Sequence, residues 1–142
     1  MIFKKMSRDT AENVFSVFYN ASGAAMAAGS AASLETGTFN GVRMSAPASA
    51  TLSLYLGQCA QSIANSDYGL VQVYGYCPTA LVTNSTNQAI AAGDILVPVN
   101  AATYLNRSAV SDGKTGFVIA GAAVATATTP AAAAASVFIR AM

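Results

Sequence analysis

The chain has 142 residues, a net charge of +1 and no histidine, and only 9% of its residues are charged while 54% are hydrophobic. That length fits one domain, and we expect a single domain over residues 1–142. The scarcity of general acids, bases and metal ligands argues against an enzyme, a catalytic residue, a cofactor or a metal, and the balanced charge argues against a nucleic-acid partner.

Basic residues are concentrated at the N-terminus, MIFKKMSRD. Lys4, Lys5 and Arg8 stand where a secretory signal needs an apolar stretch, so we expect no signal peptide and synthesis in the cytoplasm. Because termini are often disordered until a partner holds them, we interpret residues 1–10 as a mobile arm whose three basic residues contact a partner. A frayed, solvated end is the alternative interpretation.

Residues 14–19 open the predicted sheet. Thr10 and Glu12 would suit the start of a helix, but the segment itself is β-branched and aromatic, which favours a strand. Alternation places its side chains on two opposite faces. The two sets are Phe15, Val17 and Tyr19, and Val14, Ser16 and Phe18. Both sets contain apolar groups to bury.

Small residues fill positions 20–33. Their alanine content would permit a helix, but Gly23 and Gly29 disfavour one, and we expect irregular or β structure. Two further strands are predicted at 42–45 and 52–56. In the second strand one face would carry Leu52, Leu54 and Leu56.

The clearest strand pattern covers residues 69–77. One face would carry Leu70, Gln72, Tyr74 and Tyr76, and the other Val71, Val73, Gly75 and Cys77. This alternation suits a strand that is covered on one side and partly polar on the other. Proline has no N–H to donate, so Pro78 should cause a bulge or mark a sheet edge before the strand resumes at Leu81 and Val82.

The last third of the chain continues the β pattern. Ile95, Val97 and Val99 form one apolar face of a further strand, and SDGKTG at 111–116 predicts a hairpin turn around Asp112 and Gly113. The uncharged stretch 116–139 is long enough for a membrane span. Because it is mostly Ala, Gly and Thr and is broken by Pro130, we do not expect a transmembrane helix or a membrane partner.

Three similar pentapeptides each precede a predicted strand: MAAGS at 26–30, IANSD at 63–67 and IAAGD at 90–94. A glycine or asparagine tolerates positive φ in such a segment, and the following Asp or Ser can satisfy turn amides. We interpret the three as similar corner turns. They do not by themselves establish a duplicated fold.

Two motifs resemble ligand or modification sites and have simpler interpretations. Gly113, Lys114 and Thr115 resemble the end of a phosphate-binding loop, but Ser108 stands where that motif needs glycine and no helix is predicted to follow. Asparagines begin three glycosylation patterns, which without a secretory signal are better interpreted as turn residues. These are Asn20, Asn84 and Asn106.

The two cysteines, Cys59 and Cys77, match no metal-binding or redox spacing and are interpreted as small buried residues. A disulfide between them would require neighbouring strands, and a cytosolic chain would keep both thiols reduced. Asp67 and Asp94 resemble a carboxylate pair, but each follows a corner-turn signature and is interpreted as capping that turn.

Three tyrosines, Tyr68, Tyr74 and Tyr76, would suit an aromatic binding platform. Tyrosines in sheets more often pack across strands with their hydroxyl groups at the rim. We therefore favour a place in the core or in an interface over a ligand site.

The segments YGLVQVYGY, IAAGDILVPVNAATYL, GFVIAGAAVATA and ASVFIRAM occur in this order. Their succession resembles the small Ala/Gly-rich decoration or cement proteins that coat the heads of tailed bacteriophages. The resemblance covers residues 60–142 best, and ENVFSVFYNASG at 12–23 is similar to family openings. It implies an all-β fold, with a single compact β-barrel or β-sandwich of about eight short strands.

The same resemblance implies a function. It predicts a structural virion protein that binds the outer surface of the phage head, bridges major capsid subunits, associates as a homotrimer and has no catalytic residue. Some such proteins attach through a Pro-rich N-terminal arm, whereas this chain begins MIFKKMSRDT. The alternative is a receptor- or carbohydrate-binding β-domain of a phage fibre or spike, suggested by the tyrosines and the Asn-rich turns.

Overall fold

The computed structural model describes residues 12–38, 40–83, 89–108, 118–125 and 132–141. Within those ranges the chain forms nine β-strands of a single sheet and one short 3-10 turn, Leu52–Leu54. The strands are β1 (Val14–Asn20), β2 (Ala31–Leu34), β3 (Arg43–Ser45), β4 (Tyr55–Cys59), β5 (Tyr68–Thr83), β6 (Ile95–Pro98), β7 (Leu105–Arg107), β8 (Val118–Ala120) and β9 (Ala132–Arg140). The predicted all-β fold is confirmed.

The long strand β5 divides the sheet into two closed rings. In the N-terminal ring the order is β1-β3-β2-β4-β5, and the ring closes because β1 pairs with β5. In the C-terminal ring the order is β5-β7-β6-β8-β9, and the ring closes because β9 pairs with β5. The fold is therefore a β-barrel type in which one strand belongs to both rings.

Two features near the middle of β5 let it pass from one ring to the other. Gly75 has a φ of 105°, which L side chains rarely adopt, and a Cβ built there would lie 2.1 Å from the carbonyl oxygen of Glu12. At Pro78, which cannot donate to the ladder, the pairing of β5 with β9 shifts register between Cys77 and Ala80. The bulge predicted at Pro78 is confirmed.

The buried side chains form two groups, and the C-terminal group also includes Ala31 and Tyr55, from β2 and β4 of the N-terminal ring. The N-terminal core consists of Phe18, Met26, Ala32, Met44, Cys59, Ile63, Val71 and Val73. The C-terminal core consists of Ala31, Tyr55, Cys77, Ala80, Val82, Ile90, Leu96, Leu105, Val118, Ala120, Val137 and Ile139. Full burial of one Val, Leu or Ile side chain contributes about 1.5–3 kcal/mol to folding. Because β5 supplies side chains to both cores, burial in either one holds the same strand.

The structure gives the direction of one predicted face and corrects two other predictions. In β6 the buried residues are Leu96 and Pro98, so the face that Ile95 and Val97 share points outward. Residues Leu52–Leu54 form the 3-10 turn and not the start of a strand. In β1 the outward face remains largely uncovered, because Phe15 and Val17 are exposed while Phe18 is buried.

The pairings of the C-terminal ring repeat those of the N-terminal ring. Ala31 pairs with Gln58 between β2 and β4, and Ile95 pairs with Ile119 between β6 and β8, 64 and 61 residues further on. β1 and β3 pair in parallel, as do β5 and β7, whereas the other pairs in both rings are antiparallel. The fold is thus duplicated in its topology, which the pentapeptides alone did not establish.

Strand registers and isolated bridges follow the same repeat. Val17 pairs with Leu70 in the N-terminal ring, and Leu81 pairs with Ala134 in the C-terminal ring, each partner 64 residues later. An isolated bridge joins Met26 to Ile63, and its counterpart joins Ile90 to Val124. The strand order and directions are therefore repeated, while the spacing between counterparts varies along the repeat. It is 64 residues for Val17, Met26 and Leu70, 61 for Gln58 and Ile63, and 66 for Gln72, because Gln58 pairs with Gln72 whereas Ile119 pairs with Phe138.

The three pentapeptides form equivalent corner turns, as predicted. The N–H groups of Ser30, Asp67 and Asp94 donate to the carbonyl groups three residues earlier, over 3.1, 3.3 and 3.1 Å. The residue before each donor has positive φ, which is 77° at Gly29, 63° at Ser66 and 92° at Gly93. Each turn also binds the end of a neighbouring strand. Positive φ explains the two glycines, since other residues rarely adopt it.

Candidate functional site

Several predicted functional residues lie outside the described residues. These are the basic residues of the N-terminal arm, Lys4, Lys5 and Arg8, together with Asn84 and the predicted hairpin with Gly113, Lys114 and Thr115. The two remaining asparagines form hydrogen bonds with backbone groups. Asn20 is buried and its Nδ2 donates to the carbonyl groups of Ile63 and Ala64 at 3.0 and 3.1 Å, and Asn106 Oδ1 accepts from the N–H of Arg107 at 2.8 Å.

The titratable side chains are engaged in structural contacts. Asp94 Oδ2 accepts from the N–H of Ala91 at 2.8 Å and lies 3.0 Å from Arg107 Nε, and Asp67 Oδ1 accepts from the N–H of Tyr68 at 2.8 Å. Within the described ranges no three His, Cys, Asp or Glu residues are grouped closely enough to hold a metal ion. Asp94 thus caps its corner turn as predicted, whereas Asp67 binds the first N–H group of β5 and not an amide of its turn.

The two cysteines are free and buried in different cores. Burial raises the pKa of the Cys59 thiol to about 12, so this group stays protonated at neutral pH and is a poor nucleophile. Tyr55 is buried as well; Gln58 Nε2 donates to its hydroxyl group at 2.9 Å, and burial raises the pKa of that hydroxyl. Both groups are better suited to packing than to chemistry.

The outward face of β1 and the first half of β5 carries exposed aromatic groups. Tyr19 and Tyr68 are paired across the two strands, with ring centroids 5.3 Å apart in an edge-to-face arrangement. The guanidinium of Arg43, on β3, lies 5.2 Å from the Tyr19 ring centroid, and its Nε is 2.7 Å from Glu35 Oε2. We call Tyr19, Arg43 and Tyr68 the tyrosine cluster. Tyr68 is 60% exposed, so the cluster offers a partly apolar aromatic surface to a partner.

A second apolar surface crosses the C-terminal ring. Tyr76 pairs with Phe138, Phe138 with Ile119, and Ile119 with Ile95, so four strands contribute one row of outward side chains. Tyr76 and Ile95 are exposed, and the two between them are half-buried. We call this row the C-terminal strip. Sequence reasoning missed it because the apolar face of β6 gave no direction and the pairing of β9 with β8 was not predicted.

The three tyrosines singled out in the sequence do not form one platform. Tyr68 contacts Tyr19, whereas Tyr74 contacts Phe138 with ring centroids 5.4 Å apart, and Tyr76 belongs to the C-terminal strip. Tyr68 and Tyr76 are eight residues apart on one strand, or about 26 Å at the usual rise. Cross-strand packing of tyrosines, the favoured interpretation, describes Tyr68 and Tyr74.

Among the residues that the structure describes, no helix is long and apolar enough to cross a membrane. No model of a known protein family and no curated protein sequence matches the chain. Its function therefore has to be inferred from its own residues and geometry.

Proposed function

We propose that this chain is a structural protein of a virus particle, a decoration or cement protein on the outer surface of a phage head. The observation that carries the proposal is the tyrosine cluster, an exposed aromatic surface on a rigid β scaffold that otherwise offers little charge. Exposed aromatic groups next to arginine are characteristic of protein interfaces. The resemblance to decoration proteins supports the same role.

In this role the chain is made in the host cytoplasm, associates as a homotrimer and clamps neighbouring major capsid subunits. Many copies on a closed shell can share weak contacts and reach high avidity. A surface with few charges therefore does not need to bind tightly one chain at a time. Catalysis, a cofactor and nucleic-acid binding are not part of the proposal.

The copy number of the chain in purified particles tests the proposal, measured by quantitative mass spectrometry against the major capsid subunit. A cement protein is expected at a copy number close to that of the capsid subunit or at a simple fraction of it. A few copies per particle would indicate a fibre or spike, and absence from the particle would refute a virion role.

The tyrosine cluster can be tested in the same particles. Tyr68→Asp places a carboxylate in the exposed aromatic surface and is expected to lower capsid occupancy at least about tenfold. Gln61→Asp is the matched control, since Gln61 is also exposed but lies in the connection after β4. Equal occupancy of both variants would exclude the cluster as the capsid contact.

We further propose that residues 1–10 form an arm that orders on the capsid through Lys4, Lys5 and Arg8. Deletion of residues 2–8 is expected to reduce occupancy and to make the remaining binding less sensitive to salt, because exposed charge contacts are screened by ions. Unchanged occupancy would leave these residues as a solvated end.

A carbohydrate- or receptor-binding domain is the second candidate, because Tyr68 is so exposed and lies next to Tyr19 and Arg43. Sugars stack on exposed aromatic rings. Glycan-array binding that Tyr68→Ala abolishes, together with a low copy number, would favour this candidate over the cement protein.

A further inference from the structure

Besides sharing β5, the two rings contact each other at several places, which include the N–H of Ala101 donating to the carbonyl of Pro47 at 2.9 Å and the packing of Tyr55 in the C-terminal core. One further contact is made by a short segment of each ring. Residues 29–31 of the N-terminal ring lie against residues 79–81 and Thr103 of the C-terminal ring. The N–H of Leu81 donates to the carbonyl of Gly29 at 2.8 Å, and the N–H of Ala31 donates to the carbonyl of Thr103 at 2.7 Å. Ala31 is fully buried there and belongs to the C-terminal core.

The approach of the two segments is too close for a side chain at Gly29. A Cβ built on Gly29 would lie 2.1 Å from the carbonyl oxygen of Thr79. The contact at this point therefore requires a glycine, and an apolar residue, Ala31, follows it two positions later.

The duplication places the counterpart of residues 29–31 at residues 93–95, in the C-terminal ring. A Cβ built on Gly93 meets no atom within 4 Å, so the backbone there is open. Ile95, the counterpart of the fully buried Ala31, is 42% exposed. The chain thus repeats the glycine-containing half of the contact and leaves it uncovered.

The other half of the contact also has a counterpart. Residues 79–81 correspond to residues 15–17 of β1. The registers of β2 with β3 and of β6 with β7 match Thr103 with Val42, whereas those of β1 with β3 and of β5 with β7 match Val42 with Leu105, two residues further on. Phe15, Val17 and Val42 are 45%, 58% and 40% exposed. We call these three residues the β1 edge. They are large apolar groups where a partner segment would lie if the internal contact were repeated.

The backbone of the β1 edge is oriented to accept such a partner. Val17 pairs with Leu70 of β5. The N–H of Ala60, on the β4 side, donates to the carbonyl of Leu70 at 2.9 Å, so this carbonyl points away from β1. In an antiparallel pair this makes Val17 and Leu70 a non-hydrogen-bonded pair, so the N–H of Val17 points away from β5. Leu81, its counterpart, uses the same direction to donate to Gly29.

We propose that a second copy of this chain docks head to tail, with residues 93–95 of one copy against the β1 edge of the next. The contact repeats the one between the two rings: the N–H of Val17 donates to the carbonyl of Gly93, and Ile95 packs between Val17 and Val42. The partner is a second copy because one chain carries both halves of the contact, residues 93–95 in the C-terminal ring and the β1 edge in the N-terminal ring. The two surfaces differ, so the association is heterologous and forms a ring where the rotation closes.

Size-exclusion chromatography with light scattering tests this proposal, with wild-type protein and with Ile95→Lys and Val17→Lys. The wild-type protein is expected to be an oligomer, and each variant is expected to run at the mass of one chain, with association weakened at least about 100-fold by a lysine in an apolar contact. Gln61→Lys, which adds the same charge at an exposed position outside the contact, should keep the wild-type mass.

Mixing the two variants distinguishes a head-to-tail contact from a symmetric one. Ile95→Lys keeps an intact β1 edge and Val17→Lys keeps an intact Ile95 surface, so an equimolar mixture should form a one-to-one dimer and nothing larger. A wild-type monomer, a variant that keeps the wild-type mass, or a mixture that stays monomeric although both variants are folded would overturn the proposal.

A second pair of variants tests whether the partner's backbone lies close to Gly93, without placing a charged side chain in the contact. Gly93→Asn adds a side chain where the partner backbone must approach, and asparagine tolerates positive φ. Gly23→Asn is the control, since Gly23 has a similar φ of 82° and also no atom within 4 Å of a built Cβ. Only Gly93→Asn is expected to release monomers.

Hydrogen exchange of the wild-type protein should show concentration-dependent protection at the N–H of Val17, and the absence of this protection would contradict the contact.

Discussion

Two equivalent glycines, Gly29 and Gly93, have different tolerance for a side chain because of one backbone oxygen. Both have positive φ, but only the Cβ position of Gly29 is occupied, by the carbonyl oxygen of Thr79 at 2.1 Å. Gly29→Ala and Gly93→Ala should each lose about 1–2 kcal/mol of unfolding free energy through backbone strain. Gly29→Ala should lose a further 1–3 kcal/mol, roughly, because the two rings must move apart. Urea denaturation of the monomeric Ile95→Lys background measures the difference, and equal losses would contradict the close approach.

The ion pair of Glu35 and Arg43 makes stability depend on pH. The hydrogen bond from Arg43 holds the pKa of the Glu35 carboxyl below its ordinary value of 4.5. A group with a lowered folded-state pKa stabilises the protein above its unfolded-state pKa, and this contribution is lost as the pH falls through the folded-state value. Wild-type protein should therefore melt above Glu35→Gln at neutral pH, with the difference vanishing at strongly acidic pH. Thermal melts across that range, with and without added salt, measure it, and a difference that persists in acid would rule the ion pair out as its cause.

At the scale of single strands, β6 shows which face a sequence pattern leaves undecided. The side chain of Leu96 is fully buried, while that of Val97 is only partly buried. Leu96→Ala should cost about 2–5 kcal/mol of unfolding free energy, the range for a buried leucine, whereas Val97→Ala should cost well under half as much. Chemical denaturation of the two variants compares them directly. A larger loss for Val97→Ala would contradict the inward direction of Leu96.

Alternation supported β5, where Gln72 and Val73 differ by face, whereas β1 was predicted from its β-branched and aromatic residues. In β6 alternation gave no direction, because Ile95, Leu96 and Val97 are all apolar, and the burial of Leu96 shows which side points inward. Alternation failed at Leu52–Leu54, where the 3-10 turn places leucines at strand-like spacing.

The tyrosine cluster could be predicted only in part, since Tyr68 was visible in the sequence but its neighbours Tyr19 and Arg43 come from strands paired across the ring. The C-terminal strip required the pairing of β9 with β8, which no local pattern encodes.

At the scale of the whole molecule, the two cores should unfold together. Val71 lies in the N-terminal core and Val137 in the C-terminal core, and β5 is part of both rings. Val71→Ala and Val137→Ala should each cost about 2–3 kcal/mol and lower the midpoint of one common transition, since loss of either core frees the strand that the other needs. Tyrosine fluorescence and far-UV circular dichroism should give the same midpoint in urea. Two separated transitions in either variant would show that the rings are independent.

The shared strand also determines how many strands a further repeat of this fold would add. Two separate five-stranded rings would need ten strands, but here nine suffice, because the last strand of the first ring is the first strand of the second. Residues 68–74 of β5 pair with β1 and residues 74–83 pair with β9, so the last strand of the first unit continues directly into the first strand of the second. Each further unit joined in this way would add four strands and never five. The boundary between the two units therefore lies within a strand, around Gly75 and Pro78, and not in a linker.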